Sequence, residues 1–286
     1  MRLHAIFPQT EIGTDPAVIA RFIRDVEAMG FDGLVAYDHV LGADPDRPGW
    51  GGPYTIESTF HEVMVLFSFA AALTTRLLLS TGVLILPQRQ TALVAKQAAA
   101  IDVLSGGRLR LGVGVGWNWV EFEALGMSFK DRGKRIEEQI ALLRRLWTEP
   151  SVTLEGTWHH VDRAGLNPLP VRQPIPLWMG ADSEVAIRRV ARLGDGLFAH
   201  FAPTDEGAAE AALFWEWVKA AGRDPADVGL ECRMGAKMTG DELARAAERF
   251  RGMGATDLEM NTMRAGFTTP DEHLAAYRRF MERVTA

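Results

Sequence analysis

The chain has 286 residues, 47% of them hydrophobic and 24% charged, with a net charge of −6; that is globular composition, long enough for two modest domains or one closed α/β barrel. Basic residues are scattered without the stripe that a phosphate backbone requires, which argues against nucleic acid as a partner. The one cysteine, Cys232, excludes an internal disulfide and a cysteine metal cluster. The most apolar run, Val63 to Leu73, is too short to span a bilayer, and with no charged leader at the N-terminus a cytoplasmic location is expected.

Leu3 to Phe7 reads as a short buried strand, and Asp15-Pro16 opens a helix in which Val18, Ile19, Phe22, Ile23, Val26 and Met29 recur at helical spacing before Gly30. Phe31 to Tyr37 is the second strand, with Asp38-His39 just past its C-terminal end. Val40 to Thr59, rich in Gly, Pro and Asp and carrying Trp50 and Tyr54, is too long and irregular for a plain connector and is expected to be a lid or substrate loop. A helix is expected from about Phe60 to Leu73, a third strand from Leu77 to Ile85, and an alanine-rich helix from Gln90 to Leu104 that stops at Ser105-Gly106-Gly107.

The fourth strand, Leu109 to Val113, runs into the glycine-rich turn Gly112-Val-Gly-Val-Gly116, which permits close backbone approach by something flat or bulky. The turn departs from the dinucleotide fingerprint, because its last small position is filled by bulk. A helical segment near Glu121 and a long helix from Lys130 to Trp147 follow. Between Pro150 and Pro174 the rhythm breaks into a small hairpin, Val152 to His160, and a run of prolines. It resumes with strands at 176–180, 196–200, 228–236 and 257–261 and helices at 183–193, 204–221, 241–253 and 270–284. Eight alternating units predict a single α/β domain over residues 1–286, a (β/α)8 TIM barrel with a small hairpin excursion and its active site at the C-terminal strand ends. A doubly wound open sheet is the alternative.

Reading the strand ends as site candidates gives Gln9, Asp38, His39, Gly82, Val83, Trp117, Asn118, Gly180, Ala181, His200, Asn261 and Arg264. His39, next to Asp38, is the leading acid–base candidate. Met179-Gly-Ala-Asp-Ser183 joins a strand to a helix N-terminus and could hold an anion on free amides, or simply cap the helix with Asp182 or Ser183. His159 and His160 have no ligand-spaced partner, so no metal site is expected, and His4, His61 and His273 read as surface or packing residues. There is no nucleophile elbow and no phosphate-loop lysine, which demotes hydrolysis and phosphoryl transfer.

Asp38-His39, Ser80-Thr-Gly-Val-Leu84, Gly112-Val-Gly-Val-Gly-Trp-Asn-Trp-Val-Glu-Phe-Glu-Ala-Leu-Gly126, the Arg132 to Trp147 helix, and Pro176-Leu-Trp-Met-Gly-Ala181 with Arg192-Leu-Gly-Asp-Gly196 together resemble the bacterial luciferase-like monooxygenase superfamily across nearly the whole chain. Within it, Asp38-His39 and the glycine-rich turn ending in Trp117 are most similar to members that use the deazaflavin coenzyme F420. The resemblance implies an F420-dependent oxidoreductase that moves a hydride to or from a small organic substrate, with an FMN-dependent monooxygenase as the alternative and a non-catalytic flavin-binding barrel as a second alternative.

It further implies a ring lying across the barrel mouth against a bulge at Gly82-Val83, where several relatives have a non-proline cis peptide, with Trp117 and Asn118 beside it. His39 with Asp38 would serve catalysis at the redox edge, and Gly180, Ala181 and Ser183 would hold the cofactor phosphate. A homodimer packed through barrel helices is also implied. Where the sugar-phosphate dehydrogenases of the deazaflavin group carry a glutamate, this chain has Trp117; with Trp50 and Trp119 it points to a more apolar, cyclic or aromatic substrate.

Overall fold

The computed structural model describes residues 1–285. In chain order the first half comprises β1 (Arg2–Ile6), α1 (Pro16–Ala28), β2 (Gly33–Ala36), α2 (Val63–Leu73), β3 (Leu78–Thr81), β4 (Leu84–Ile85), α3 (Thr91–Ser105), β5 (Leu109–Gly114), α4 (Trp119–Ala124) and α5 (Arg132–Thr148). The hairpin β6 (Val152–Glu155) and β7 (His160–Ala164) follows, then β8 (Leu177–Gly180), α6 (Glu184–Leu193), β9 (Gly196–Ala199), α7 (Asp205–Ala220), β10 (Gly229–Gly235), α8 (Gly240–Gly252), β11 (Asp257–Asn261) and α9 (Pro270–Val284).

Every pairing between neighbouring strands of the main sheet is parallel, and β11 returns to pair with β1. The pairing of β3 with β5 closes the ring. The open-sheet alternative is thereby overturned. The sheet has nine strands, but β3 and β4 are one strand broken at the cis peptide Gly82–Val83, so eight barrel strands remain. The expected continuous strand from Leu77 to Ile85 is corrected at the place where the resemblance puts the bulge.

Local chemistry sets the helix ends. Pro16 sits in the first turn of α1 behind the Asp15 cap, and Thr269 with Glu272 forms a reciprocal capping box at the start of α9. The helix expected from Phe60 begins at Val63, because the Glu62 carboxylate accepts from the Val65 amide and so ends the extended segment before it. Phe60 is released to pack elsewhere. The hairpin extends to Ala164 instead of stopping at His160, continuing the antiparallel ladder to a Val152–Ala164 pair.

The main core lies between barrel and helices: Phe22 of α1 and Phe31 meet Tyr277 of α9 edge-on and Phe31 stacks on Phe280, with centroids 5.4 to 6.0 Å apart. Each such buried side chain contributes roughly 1.5–3 kcal/mol. Inside the barrel, toward the N-terminal ends of its strands, the filling is ionic. The fully buried Arg110 donates from Nε to Ser80 at 2.8 Å, from Nη1 to Asp257 at 3.0 Å and from Nη2 to Glu231. Its guanidinium also lies over Trp178 and Phe198. His4 Nε2 meets Asp257 at 2.6 Å. Burial pushes the Glu231 carboxyl up despite the Arg110 charge, whereas at Asp257 the opposing His4 hydrogen bond and Arg110 outweigh burial and hold it down. His4, Glu231 and Asp257 are the one group of possible metal ligands among the described residues. The Arg110 guanidinium already supplies the positive charge there.

Candidate active site

The C-terminal ends of the strands open into a cleft of about 380 Å³. Around it the fold gathers Asp38, His39, Gly82, Val83, Trp117, Gly180, Ala181, Ser183 and His200 from widely separated parts of the chain. Asn118 is not in its wall: the side-chain oxygen caps α4 at Val120 N and the amide donates to Leu41 O at 3.2 Å. Gln9 is likewise spent inside the protein, on His61 N and Tyr37 O. Another hollow, between Trp215, Lys219 and Pro225, lies toward the N-terminal strand ends and brings one ionisable group, Lys219.

Asp38 is buried and bound on both oxygens, by Arg89 Nη2 at 2.7 Å and Ile85 N at 3.0 Å. Burial pushes its carboxyl above the usual range, opposed by the Arg89 charge. Arg89 also reaches Glu62 at 2.9 Å. Asp38 therefore ties the end of β2 to β4 and to the start of α2, and leaves its neighbour in the chain to face the cleft.

That neighbour is His39. Its Nδ1 lies 3.2 Å from Oε1 of Glu121, and the same oxygen accepts from Val40 N at 2.6 Å and Leu41 N at 3.2 Å. An oxygen that already accepts from two backbone amides acts as an acceptor toward the ring as well, so Nδ1 carries the hydrogen and the unpartnered Nε2 is left for a ligand. The ring is packed on three sides by Tyr54, Phe60 and Trp117, at centroid distances of 4.9, 4.8 and 5.4 Å.

The segment between β2 and α2, expected to be a lid or substrate loop, supplies much of this wall. A single bridge, Ala43 to Thr55, gives it internal shape. Trp50 stacks toward Trp117 at 5.7 Å. Arg47 pairs with Glu123 at 2.5 Å, and Arg264 Nη2 donates to Pro53 O at 2.7 Å, its guanidinium lying over Tyr54. The loop is thus fastened to α4 on one side and to the turn after β11 on the other.

The glycine turn is shaped by close approach. A Cβ on Gly112 would lie 2.0 Å from the Thr81 carbonyl oxygen, and one on Gly114 would lie 2.5 Å from Val83 Cγ2. Glycine at 114 lets the Val83 side chain seat against the β5 backbone. Opposite, Ser183 caps α6, accepting from Ala186 N at 3.4 Å, so the amides of that first turn border the cleft. Asp182 at the same terminus opposes an anion, but its carboxylate is turned onto His200 Nδ1.

Sequence reasoning missed three residues of this site. Glu121 lay inside the quoted motif without a role. Tyr37 and Arg233 were not singled out, yet both line the cleft. The guanidinium of Arg233 lies 5.4 Å from the Tyr37 ring centroid, and its Nε donates to Glu259 at 2.5 Å. A signal for Arg233 was present: Leu230, Cys232 and Met234 alternate with Glu231 and Arg233 along β10, a period-two charge pattern in a strand covered by helices.

A profile of the family described as luciferase-like monooxygenase matches residues 3–284. An uncharacterized protein of Mycobacterium tuberculosis is 35% identical over 195 residues, 65% of this chain and 66% of that protein, so the chain covers just under two thirds of that relative's length. The F420-dependent glucose-6-phosphate dehydrogenase of Beutenbergia cavernae is 32% identical over 244 residues, covering 81% of this chain and 67% of that enzyme. The FMNH2-dependent dimethylsulfone monooxygenase of Pseudomonas fluorescens is 32% identical over 177 residues, covering 61% and 45%. Among solved structures, an F420-dependent secondary alcohol dehydrogenase superimposes with a TM-score of 0.80 over 99% of this chain and 98% of its own, at 17% identity, a likeness of fold. With a closed barrel of parallel strands and a family profile that spans nearly its whole length, the chain belongs to the luciferase-like monooxygenase family.

Proposed function

We propose that residues 1–286 act as one domain, an oxidoreductase that passes a hydride between coenzyme F420 and a small apolar, cyclic or aromatic substrate. The observation that carries this reading is the His39 imidazole, fixed at Nδ1 by Glu121 and presenting a free Nε2 to a cleft walled by aromatic rings. Bound F420 would supply two-electron hydride chemistry, for which a site needs orientation and one proton-handling group.

The residues present fit such a group. Val83 offers an apolar backing at the broken strand, and the α6 terminus with Gly180, Ala181 and Ser183 offers amides to a phosphate. Arg132, which donates to Gly116 O at 3.2 Å, is a cation at the glycine turn suited to an acidic tail. His39 Nε2 gives or takes the substrate proton, Glu121 holds the ring, and Asp38 anchors the backbone that carries it. By the resemblance, Trp117 stands where the sugar-phosphate dehydrogenases of the group carry an acid, which turns the substrate reading away from the sugar phosphate named for the Beutenbergia relative.

The second reading is an FMN-dependent monooxygenase, favoured by the Pseudomonas relative. A non-catalytic flavin-binding barrel is the third. Titrating the purified chain with F420 and with FMN while following fluorescence decides between the cofactors. Tight FMN binding without F420 affinity would move the function to oxygen insertion.

We also propose a homodimer through α2 and α3. These adjacent helices expose Val65, Phe69, Leu93 and Leu104 (67%, 39%, 52% and 73%), apolar surface that a second copy would cover.

A further inference from the structure

The guanidinium of Arg233 lies over the Tyr37 ring, 5.4 Å from its centroid, between β10 and the end of β2 at the cleft, and neither side chain is used up by the protein. Of the five N–H donors of a guanidinium, Arg233 commits its Nε to Glu259 at 2.5 Å; its two terminal nitrogens make no hydrogen bond among the described residues. The Tyr37 oxygen is buried and likewise unpartnered. Glu259, 3% exposed, spends Oε1 on the Arg233 Nε and keeps Oε2 buried away from the cleft without a partner. The donors therefore face a cleft in which the other walls are mostly apolar: Tyr54, Trp117, Val83 and Phe198. The buried Tyr37 oxygen without a partner is a standing cost, and the Arg233 terminal nitrogens, on a side chain 28% exposed, are open to an incoming acceptor.

From this we infer that Arg233 and Tyr37 form a seat for a carbonyl or carboxylate oxygen carried on a flat apolar ring. A cation is excluded by the Arg233 charge, and an alcohol uses the donors less fully than a planar acceptor with two lone pairs. The inference deepens the oxidoreductase reading of the same cleft and rests on its being a ligand site. The oxygen has two possible sources with one chemistry: the substrate, or the carbonyl edge of the cofactor ring. In the first case the enzyme acts on ring ketones, ring carboxylates or their reduced forms. In the second the arginine compensates charge that builds on the ring when it is reduced.

Wild type, Arg233→Gln and Tyr37→Phe are titrated with benzoate, benzyl alcohol, F420 and FMN, following tryptophan fluorescence, after a melting curve establishes that each is folded. If the substrate supplies the oxygen, R233Q weakens benzoate at least about tenfold, or about 1.4 kcal/mol, while benzyl alcohol and the cofactors stay within about twofold. If the cofactor supplies it, F420 or FMN weakens by that factor and more in the reduced form. Should R233Q unfold, Y37F, which removes one oxygen atom, is read in the same way with an expected loss of about threefold. Benzoate binding that R233Q abolishes in a chain binding neither cofactor supports the seat and removes the oxidoreductase reading instead. The seat is overturned if the folded variant binds all four probes like wild type, or if wild type binds none.

Discussion

His39 and Glu121, 82 positions apart in the chain, meet at 3.2 Å between imidazole Nδ1 and carboxylate Oε1, and the same oxygen gathers the Val40 and Leu41 amides. One buried carboxylate thus sets both the tautomer of the histidine and the departure of the loop that follows it. Glu121→Gln keeps the shape and replaces one carboxylate oxygen by an amide nitrogen. It is expected to lower turnover about 10- to 100-fold with little change in cofactor affinity, and to speed hydrogen exchange at the Val40 and Leu41 amides. Wild-type turnover together with wild-type exchange would remove Glu121 from the machinery.

His39→Ala is expected to cut turnover by about 10²- to 10⁴-fold while leaving cofactor binding within a few-fold. Steady-state kinetics with a direct binding titration separate the two effects. Undiminished activity would take the histidine out of the reaction.

Two neighbouring glycines are expected to fail differently. At Gly112 an added methyl meets the Thr81 backbone at 2.0 Å, so Gly112→Ala strikes the barrel itself and lowers the melting temperature. At Gly114 the obstacle is the Val83 side chain at 2.5 Å, so Gly114→Ala pushes that side chain toward the cleft and costs cofactor affinity more than stability. Melting curves and cofactor titrations on both variants test the contrast.

Acid stability carries a specific signature. Burial depresses His273 from 6.5 to about 4, and its Nδ1 meets Thr262 Oγ1 at 2.8 Å. Being neutral when folded, it binds fewer protons than in the unfolded chain. Its contribution is full above the unfolded value of 6.5 and is lost as the pH falls toward 4. His273→Gln is expected to flatten the stability profile over that interval by on the order of 2 kcal/mol. Urea unfolding at several pH values measures it, and an unchanged slope would assign the acid sensitivity to other groups.

Light scattering is expected to give a dimer, and Val65→Glu with Leu93→Glu to give monomers with an intact barrel by circular dichroism. A wild-type monomer at micromolar concentration would remove the dimer.

Fold and site were unequally legible in the sequence. Helical spacing in α1, and the short apolar strands that alternate with helices after it, carried the barrel, because burial on a regular scaffold leaves a periodic trace. Asp38-His39 could be found because it stands at a strand end. Glu121 could not be assigned, since its partner is brought to it by the closing of the ring. Asn118 shows the opposite relation: its place in a motif suggested a ligand contact, while its side-chain oxygen caps α4 and its side-chain nitrogen holds Leu41 O of the loop. Arg233 and Glu259 were not among the candidates, because those were read from strand ends and both residues lie inside their strands. β11 has the same alternation as β10, with Asp257, Glu259 and Asn261 alternating with Leu258 and Met260.

The Arg110 plug makes the barrel a blind tube. With Asp257, Glu231 and Ser80 bound to one guanidinium and Trp178 and Phe198 flanking it, no ligand threads through from the N-terminal side, and all traffic uses one door. The wall of that door nearest His39 belongs largely to the segment between β2 and α2, which is fastened to the rest at a few points such as Arg47–Glu123 and Arg264–Pro53. Scaffold and doorway are therefore separable inheritances. Exchanging that segment for one from another family member, with its fastening partners, would be a graft that changes which molecules enter without asking the plugged end to refold around them.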